Sequence, residues 1–329
     1  MTLLREKRVL VTGATGFIGS RLALRLAQEE GARVTATGRN LDAVPHLKES
    51  GVELRRANLL DFATQRRLMA NQDVAFHVAA WLGPRHAPPD HAWALNAYAT
   101  EKLAHIAAAA GVARLVVVSS IAAYGPPQQP VMDEKQPLAP RQRSVYGRTK
   151  AEGELRAMQA ARQSGLSLVV ARPGIVYGPG SIGWSRRMVR LVQKGVPVIF
   201  GAGEGHAHPV FVDNLIDGLL LAASRPAATG RAFNFVDRPV PWREWFTYFG
   251  DMGGRAPRAI PMWLARLALL TAERLPLGLS INRGLLRHVT NQSVYPIDNA
   301  RQHLGYHPRV DLPQGMALTE AWLRRENYL

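Results

Sequence analysis

The chain has 329 residues, 47% of them hydrophobic and 20% charged, which suffices for one large or two modest cores and argues against extensive disorder. It contains no cysteine, so disulfides, thiolate metal sites and cysteine nucleophiles are excluded. The formal net charge of +16 is carried mainly by arginines scattered along the chain, with no basic run interleaved with aromatics, so nucleic acid is not the expected partner.

The first residues are polar and run straight into an apolar strand, Arg8 to Thr12, without a signal-peptide core, so a cytoplasmic location is expected. A helix is predicted over Phe17 to Glu29. Strands follow at Val34 to Thr37, Val52 to Arg55, Val74 to Val78 and Leu115 to Ser119. Helices are expected at Trp93 to Ala110 and Tyr146 to Gln163, and a sixth strand at Leu166 to Ala171. Near-continuous Val, Leu and Ile in short runs is the signature of buried parallel strands. Alternation with helices implies an α/β, Rossmann-type doubly wound parallel sheet. After Pro173 glycine and proline break the rhythm, although Arg231 to Val236 can return to the sheet. The division expected is a dinucleotide-binding domain of residues 1–173 plus 209–236 and a smaller, mainly helical substrate domain of 174–208 plus 237–329. The greasiest stretch, Ile260 to Leu279, is interrupted by Arg266, Glu273 and Arg274. It reads as an amphipathic helix on its own domain, and it leaves room for peripheral membrane contact or a greasy substrate pocket.

Thr12-Gly13-Ala14-Thr15-Gly16-Phe17-Ile18-Gly19 joins the first strand to the first helix. Gly13, Gly16 and Gly19 allow a tight turn, close approach of a pyrophosphate and close helix packing, while the helix N-terminus offers free N–H groups. The second strand ends Thr37-Gly38-Arg39, with no carboxylate for a ribose diol. Arg39 can instead meet a 2′-phosphate, so NADP is expected over NAD.

Tyr146 and Lys150 stand four apart on one helical face. A nearby ammonium favours phenolate, which suits a tyrosine to exchange protons with an alcohol–ketone couple. The same spacing recurs at Tyr98 and Lys102. Position separates the two. Tyr146 follows the fifth strand, whose end carries Ser119 and Ser120, whereas Tyr98 precedes it and reads as part of a solvated helix pair.

Taken in order, TGATGFIG at 12–19, HVAA at 77–80, Asn96, VVVSS and AAYG within 116–125, YGRTK at 146–150 and RPGIVYGPG at 172–180 resemble the extended short-chain dehydrogenase/reductase superfamily and its NAD-dependent epimerase/dehydratase family. The resemblance implies that Ser120 is the catalytic hydroxyl, that Asn96 helps hold Lys150 through water, and that Tyr146 and Lys150 serve both catalysis and cofactor. It places Thr15, Phe17, Ile18, Asn58, Leu59, Ala79, Ala80 and Pro173 along the cofactor, with Asn58 where relatives often carry Asp. Sugar-nucleotide members usually have Asn at the place of Ile175 and Arg at the place of Ala207. Dehydratases carry acidic residues where Ile121 and Ala122 stand. The wording is nearest the 3-beta-hydroxysteroid dehydrogenase-like branch. The expected activity is hydride transfer between NAD(P) and a hydrophobic secondary alcohol or ketone. Sugar-nucleotide epimerisation and a catalytically silent NADP-binding protein are the alternatives. A small-molecule substrate and room for a homodimer are also expected. His206 and His208 alternate as metal ligands can, but no third ligand is spaced to join them, so no metal is expected.

Overall fold

The fold is described from a computed structural model, which covers residues 3–83, 88–196, 198–274 and 283–329. Six strands form at Arg8–Thr12 (β1), Arg33–Gly38 (β2), Glu53–Arg56 (β3), Val74–His77 (β4), Arg114–Val118 (β5) and Leu168–Pro173 (β6). With the strand Ala232–Phe235 they make one seven-stranded sheet, ordered β3-β2-β1-β4-β5-β6-(Ala232–Phe235), and every pairing in it is parallel. The strand order reverses between β1 and β4. Their C-terminal ends, Thr12 and His77, therefore flank the crevice where such sheets bind ligands.

Strand periodicity explains the layers. Val9, Val11, Phe76, Val116, Val118, Val169 and Ala171 point to one face, under the helices Phe17–Gln28 (α1) and Val212–Ser224. Leu10, Ala75, Leu115, Val117, Leu168 and Val170 point to the other, under the helices Ala99–Ala109 and Val145–Ser164. Both faces are covered, which is why the strands are apolar throughout rather than alternating.

The helix predicted from Trp93 begins earlier, at Pro89, and its turn is one residue wider over Trp93–Tyr98. Pro89 suits a first helical turn because no N–H is needed there, although the apolar pattern only starts at Trp93. The return to the sheet lies where it is expected, beside β6. Around it, Ile175–Tyr177 pairs with Pro209–Phe211, His206–Ala207 with Val240–Pro241, and Ile199–Phe200 with Ala259–Ile260. These short pairs stitch the glycine-rich segment to the tail. The tail is mainly helical, through Trp242–Gly253, Met262–Arg274, Arg283–Thr290, Asp298–Leu304 and Leu312–Arg325. One apolar cluster runs from Leu4 to Leu323 and joins the sheet to the tail. Within the 260–279 stretch, Met262–Arg274 is helical and Trp263 is 67% exposed, while 275–279 lie outside the described residues. Among the described residues no helix is long and apolar enough to cross a membrane.

Candidate active site

The glycine turn closes on itself. Gly13 has φ +76°, and a methyl group there would lie 2.6 Å from the Ala79 backbone. At Gly19 a methyl would lie 2.3 Å from the Gly13 carbonyl, so the helix can start this close to the turn only without a side chain. Gly16 caps α1 with no side-chain hydrogen bond, and no acidic residue occupies the first turn. The turn therefore offers a positive helix end and uncapped N–H groups at the switch point, a cradle that fits a dinucleotide diphosphate. Phe17 packs beside Gly180, and Ile18 is half-buried behind it.

Thr15 sits over the end of β2. A methyl at Gly38 would come within 2.3 Å of Thr15 Cγ2. Arg39 follows, exposed, and its guanidinium makes no hydrogen bond or ion pair among the described residues. Asn58 is exposed and its side-chain oxygen accepts from the Leu60 N–H, so half of the amide is committed to its own turn. Leu59 packs against the second core. Ala79 abuts the turn, Ala80 is exposed beside it, and Pro173 ends β6.

The catalytic candidates converge at the end of β5. Ser144 caps the helix Val145–Ser164 by accepting from the Gly147 N–H, which sets Tyr146 in its first turn. Tyr146 is half-buried. Burial raises its pKa, and a hydrogen bond with Ser120 works against that rise. Ser120 Oγ accepts from the Ala122 N–H at 3.1 Å, which leaves its own proton to donate. Lys150 is 4% exposed and donates to the Val118 carbonyl at 2.6 Å. Burial pushes its ammonium down to about 8, partly offset by Glu154. Asn96 is fully enclosed. Its oxygen accepts from the Trp81 N–H at 2.7 Å, and its nitrogen donates to the Trp81 carbonyl and to Thr149 Oγ1, both at 3.1 Å. Its direct grip is thus on Thr149, the neighbour of Lys150, and on the loop after β4.

Two buried networks carry no signal in the sequence. In the first, the Thr100 hydroxyl donates to the Asn96 carbonyl, so its oxygen takes the Nε2–H of His77, and His77 Nδ1 accepts from Thr12. Burial and the Lys150 charge hold His77 down to about 3, so the ring is neutral. In the second, Arg172 pairs with Glu154 and donates to the Tyr124 hydroxyl at 2.6 Å, and that hydroxyl donates to Asn234 at 2.9 Å. Asn234 in turn donates to the Met132 carbonyl and, through its backbone, to Glu134. The chain ties the Tyr146 helix, the turn after Ser120 and the last strand together. Its members lie 18 to 110 residues apart, so no local spacing could reveal them.

The second Tyr-x-x-x-Lys pair is elsewhere. Tyr98 is 45% exposed, edge-on to Phe62, with the Lys102 ammonium 5.3 Å from its ring centre. His208 donates its Nε2–H to the Ser293 carbonyl and packs on Tyr295, while His206 is 6.2 Å away between ring centres. The carbonyl can only accept, so that nitrogen carries the proton. Among the described residues no three His, Asp or Glu side chains converge as metal ligands do.

Known proteins of both chemistries resemble this chain. The 2-alkyl-3-oxoalkanoate reductase of Stenotrophomonas maltophilia (strain K279a) is 28% identical over 95% of this chain and 98% of that protein. The UDP-glucose 4-epimerase of Vibrio cholerae is 27% identical over 98% of this chain and 97% of its own length. Among solved structures, MoeE5 in complex with UDP-glucose and NAD superposes with a TM-score of 0.78 at 28% identity, covering 97% of this chain and 99% of the other. The model of the NAD dependent epimerase/dehydratase family matches residues 9–235, from the first strand through the last strand of the sheet, and the chain belongs to that family.

Proposed function

We propose that the protein is an oxidoreductase that interconverts a hydrophobic secondary alcohol and a ketone, steroid-like or long-chain, and that it prefers NADP to NAD. The observation that carries this reading is the loss of donors where a sugar diphosphate needs them. Ile175 is 7% exposed and Ala207 fully buried, paired in a strand with Val240. Neither can neutralise a phosphate, and unpaired charge in such a place is costly. Of the three arginines that could compensate, Arg186 is stacked on Tyr328 at 3.9 Å, while Arg187 and Arg190 are exposed and leave the epimerase as the alternative to be tested. The Stenotrophomonas relative, a reductase of 2-alkyl-3-oxoalkanoates by its name, supports a substrate with alkyl character. The residues 174–208 and 237–329 form the substrate side of the cleft.

A dinucleotide held at the turn of Gly13, Gly16 and Gly19 would supply or accept the hydride. Ser120 turns its proton from Tyr146 to the substrate oxygen and donates a hydrogen bond there. Tyr146 gives that oxygen its proton in reduction and recovers it in oxidation. Lys150 has three N–H donors and uses one on Val118, so two remain for the ribose of the cofactor. Asn96 and Thr149 fix the helix turn that presents both.

The test is a panel of hydrophobic ketones followed by NADPH absorbance, with parallel titrations of UDP- and dTDP-sugars. NADPH consumption by a ketone, without sugar conversion, is the expected result. Conversion of a nucleotide sugar without net NADPH consumption would overturn the proposal in favour of epimerisation, the activity named for the Vibrio relative.

A further inference from the structure

We infer that Arg56, at the end of the neighbouring strand β3, is a second guanidinium for the 2′-phosphate of the cofactor and acts together with Arg39. This rests on the NADP reading above and extends it to a residue that no turn motif contains. In the sheet register Arg56 stands directly beside Gly38. Its Nη1 donates to the Arg39 carbonyl at 2.6 Å. That bond brings a positive charge over the C-terminal edge of β2, at the residue that follows Gly38. The adjacent arginine goes elsewhere: Arg55 forks both nitrogens onto Glu53 and is neutralised there.

The place is also shaped to receive an anion and to refuse a carboxylate. Thr15 fills the space that a side chain at Gly38 would need. An acidic residue there, the usual partner of a ribose diol, has nowhere to stand. The carboxylate nearest to Arg56 in the structure's ion pairs is Asp42, at 3.5 Å, with its side chain 86% exposed. A solvated pair of this kind contributes little and yields readily to a ligand phosphate carrying up to two charges. Two guanidiniums, one uncommitted and one held by a carbonyl and a weak ion pair, fit a phosphomonoester better than a ribose hydroxyl.

The experiment is equilibrium binding of NADPH and of NADH to the full chain, followed by nicotinamide fluorescence, for wild type, Arg39→Ala, Arg56→Ala, Arg56→Lys and Asp42→Asn. Arg56→Ala should weaken NADPH about tenfold and leave NADH within about twofold. Arg56→Lys should recover part of the loss, since it keeps the charge without the fork. Asp42→Asn should tighten NADPH by about twofold, because it releases Arg56. If Arg56→Ala left NADPH unchanged, or weakened both cofactors alike while Arg39→Ala stayed selective, the role of Arg56 would be lost and the NADP preference would stand. If neither arginine variant discriminated between the cofactors, the preference itself would fall, and Arg56 with it.

Discussion

Tyr98 with Lys102 and Tyr146 with Lys150 have the same spacing on helices of the same sheet face, and only the second pair stands at the end of β5. The first lies at the surface, where the half-buried Lys102 rests its ammonium over the exposed Tyr98 ring. The second is drawn into the end of β5, where the ammonium is buried against a carbonyl and the phenol meets a serine. The contrast teaches that spacing sets which side chains share a face, whereas depth sets what they can do. Desolvation makes a lysine responsive to pH and a tyrosine responsive to its hydrogen bonds.

Substitution of the tyrosines gives the widest separation. Tyr146→Phe should lower kcat by about 10²- to 10⁴-fold with cofactor binding largely kept, and Tyr98→Phe should stay within about twofold. Equal losses would erase the distinction between the pairs. The lysines sharpen it through pH. With Lys150 pushed down to about 8, kcat/KM for reduction should fall as pH rises above that value, and the limb should persist in Lys102→Met. A flat profile through pH 8 to 9 would show that the Lys150 charge does not matter.

Stability should move the other way. The folded pKa of Lys150 lies below the unfolded value of about 10.5. The unfolded chain therefore binds more protons between about 8 and 10.5, and stability rises with pH through that window. Lys150→Met should accordingly stabilise the fold by about 2 kcal/mol at pH 7, while Lys102→Met changes it by less than about 0.5 kcal/mol. Thermal melts at matched pH would check this, and a destabilised Lys150→Met would contradict it. The smallest expected effect belongs to the frame around the buried pair. Tyr124→Phe removes one hydroxyl that serves both Arg172 and Asn234, and should cost about 1–2 kcal/mol in urea melts, with NADPH affinity kept.

Much of this architecture is legible in the amino-acid sequence. The strands from Arg8 to Ala171, the glycine turn and the return at Arg231 to Val236 all declare themselves through local apolar runs and glycine spacing, because a sheet covered on both faces writes a continuous pattern. That Tyr146 and Lys150, and not Tyr98 and Lys102, would stand at the end of β5 is legible too, since chain order decides which helix meets that strand. The supports were not. His77 reads as one more residue of a buried strand, yet both its nitrogens are engaged by threonines from other elements. Nothing in the sequence pairs Glu154 with Arg172, yet both are buried and joined. Such partners are selected by packing in three dimensions. The wide turn at Trp93–Tyr98 escaped for a related reason, because the apolar period survives one extra residue while the backbone does not reveal it.

The bond between Tyr124 and Asn234 has a consequence for how the molecule is made. Synthesis proceeds from the N-terminus, so every catalytic candidate has emerged by residue 150, while the partner of Tyr124 arrives some eighty residues later. Until Ala232–Phe235 docks, β6 is an open edge of the sheet and the Tyr124 hydroxyl lacks its acceptor. A nascent chain stalled near residue 230 would thus carry every recognisable motif in the correct order and still lack the strand that locks them. Completion of the enzyme is a late event in its own translation.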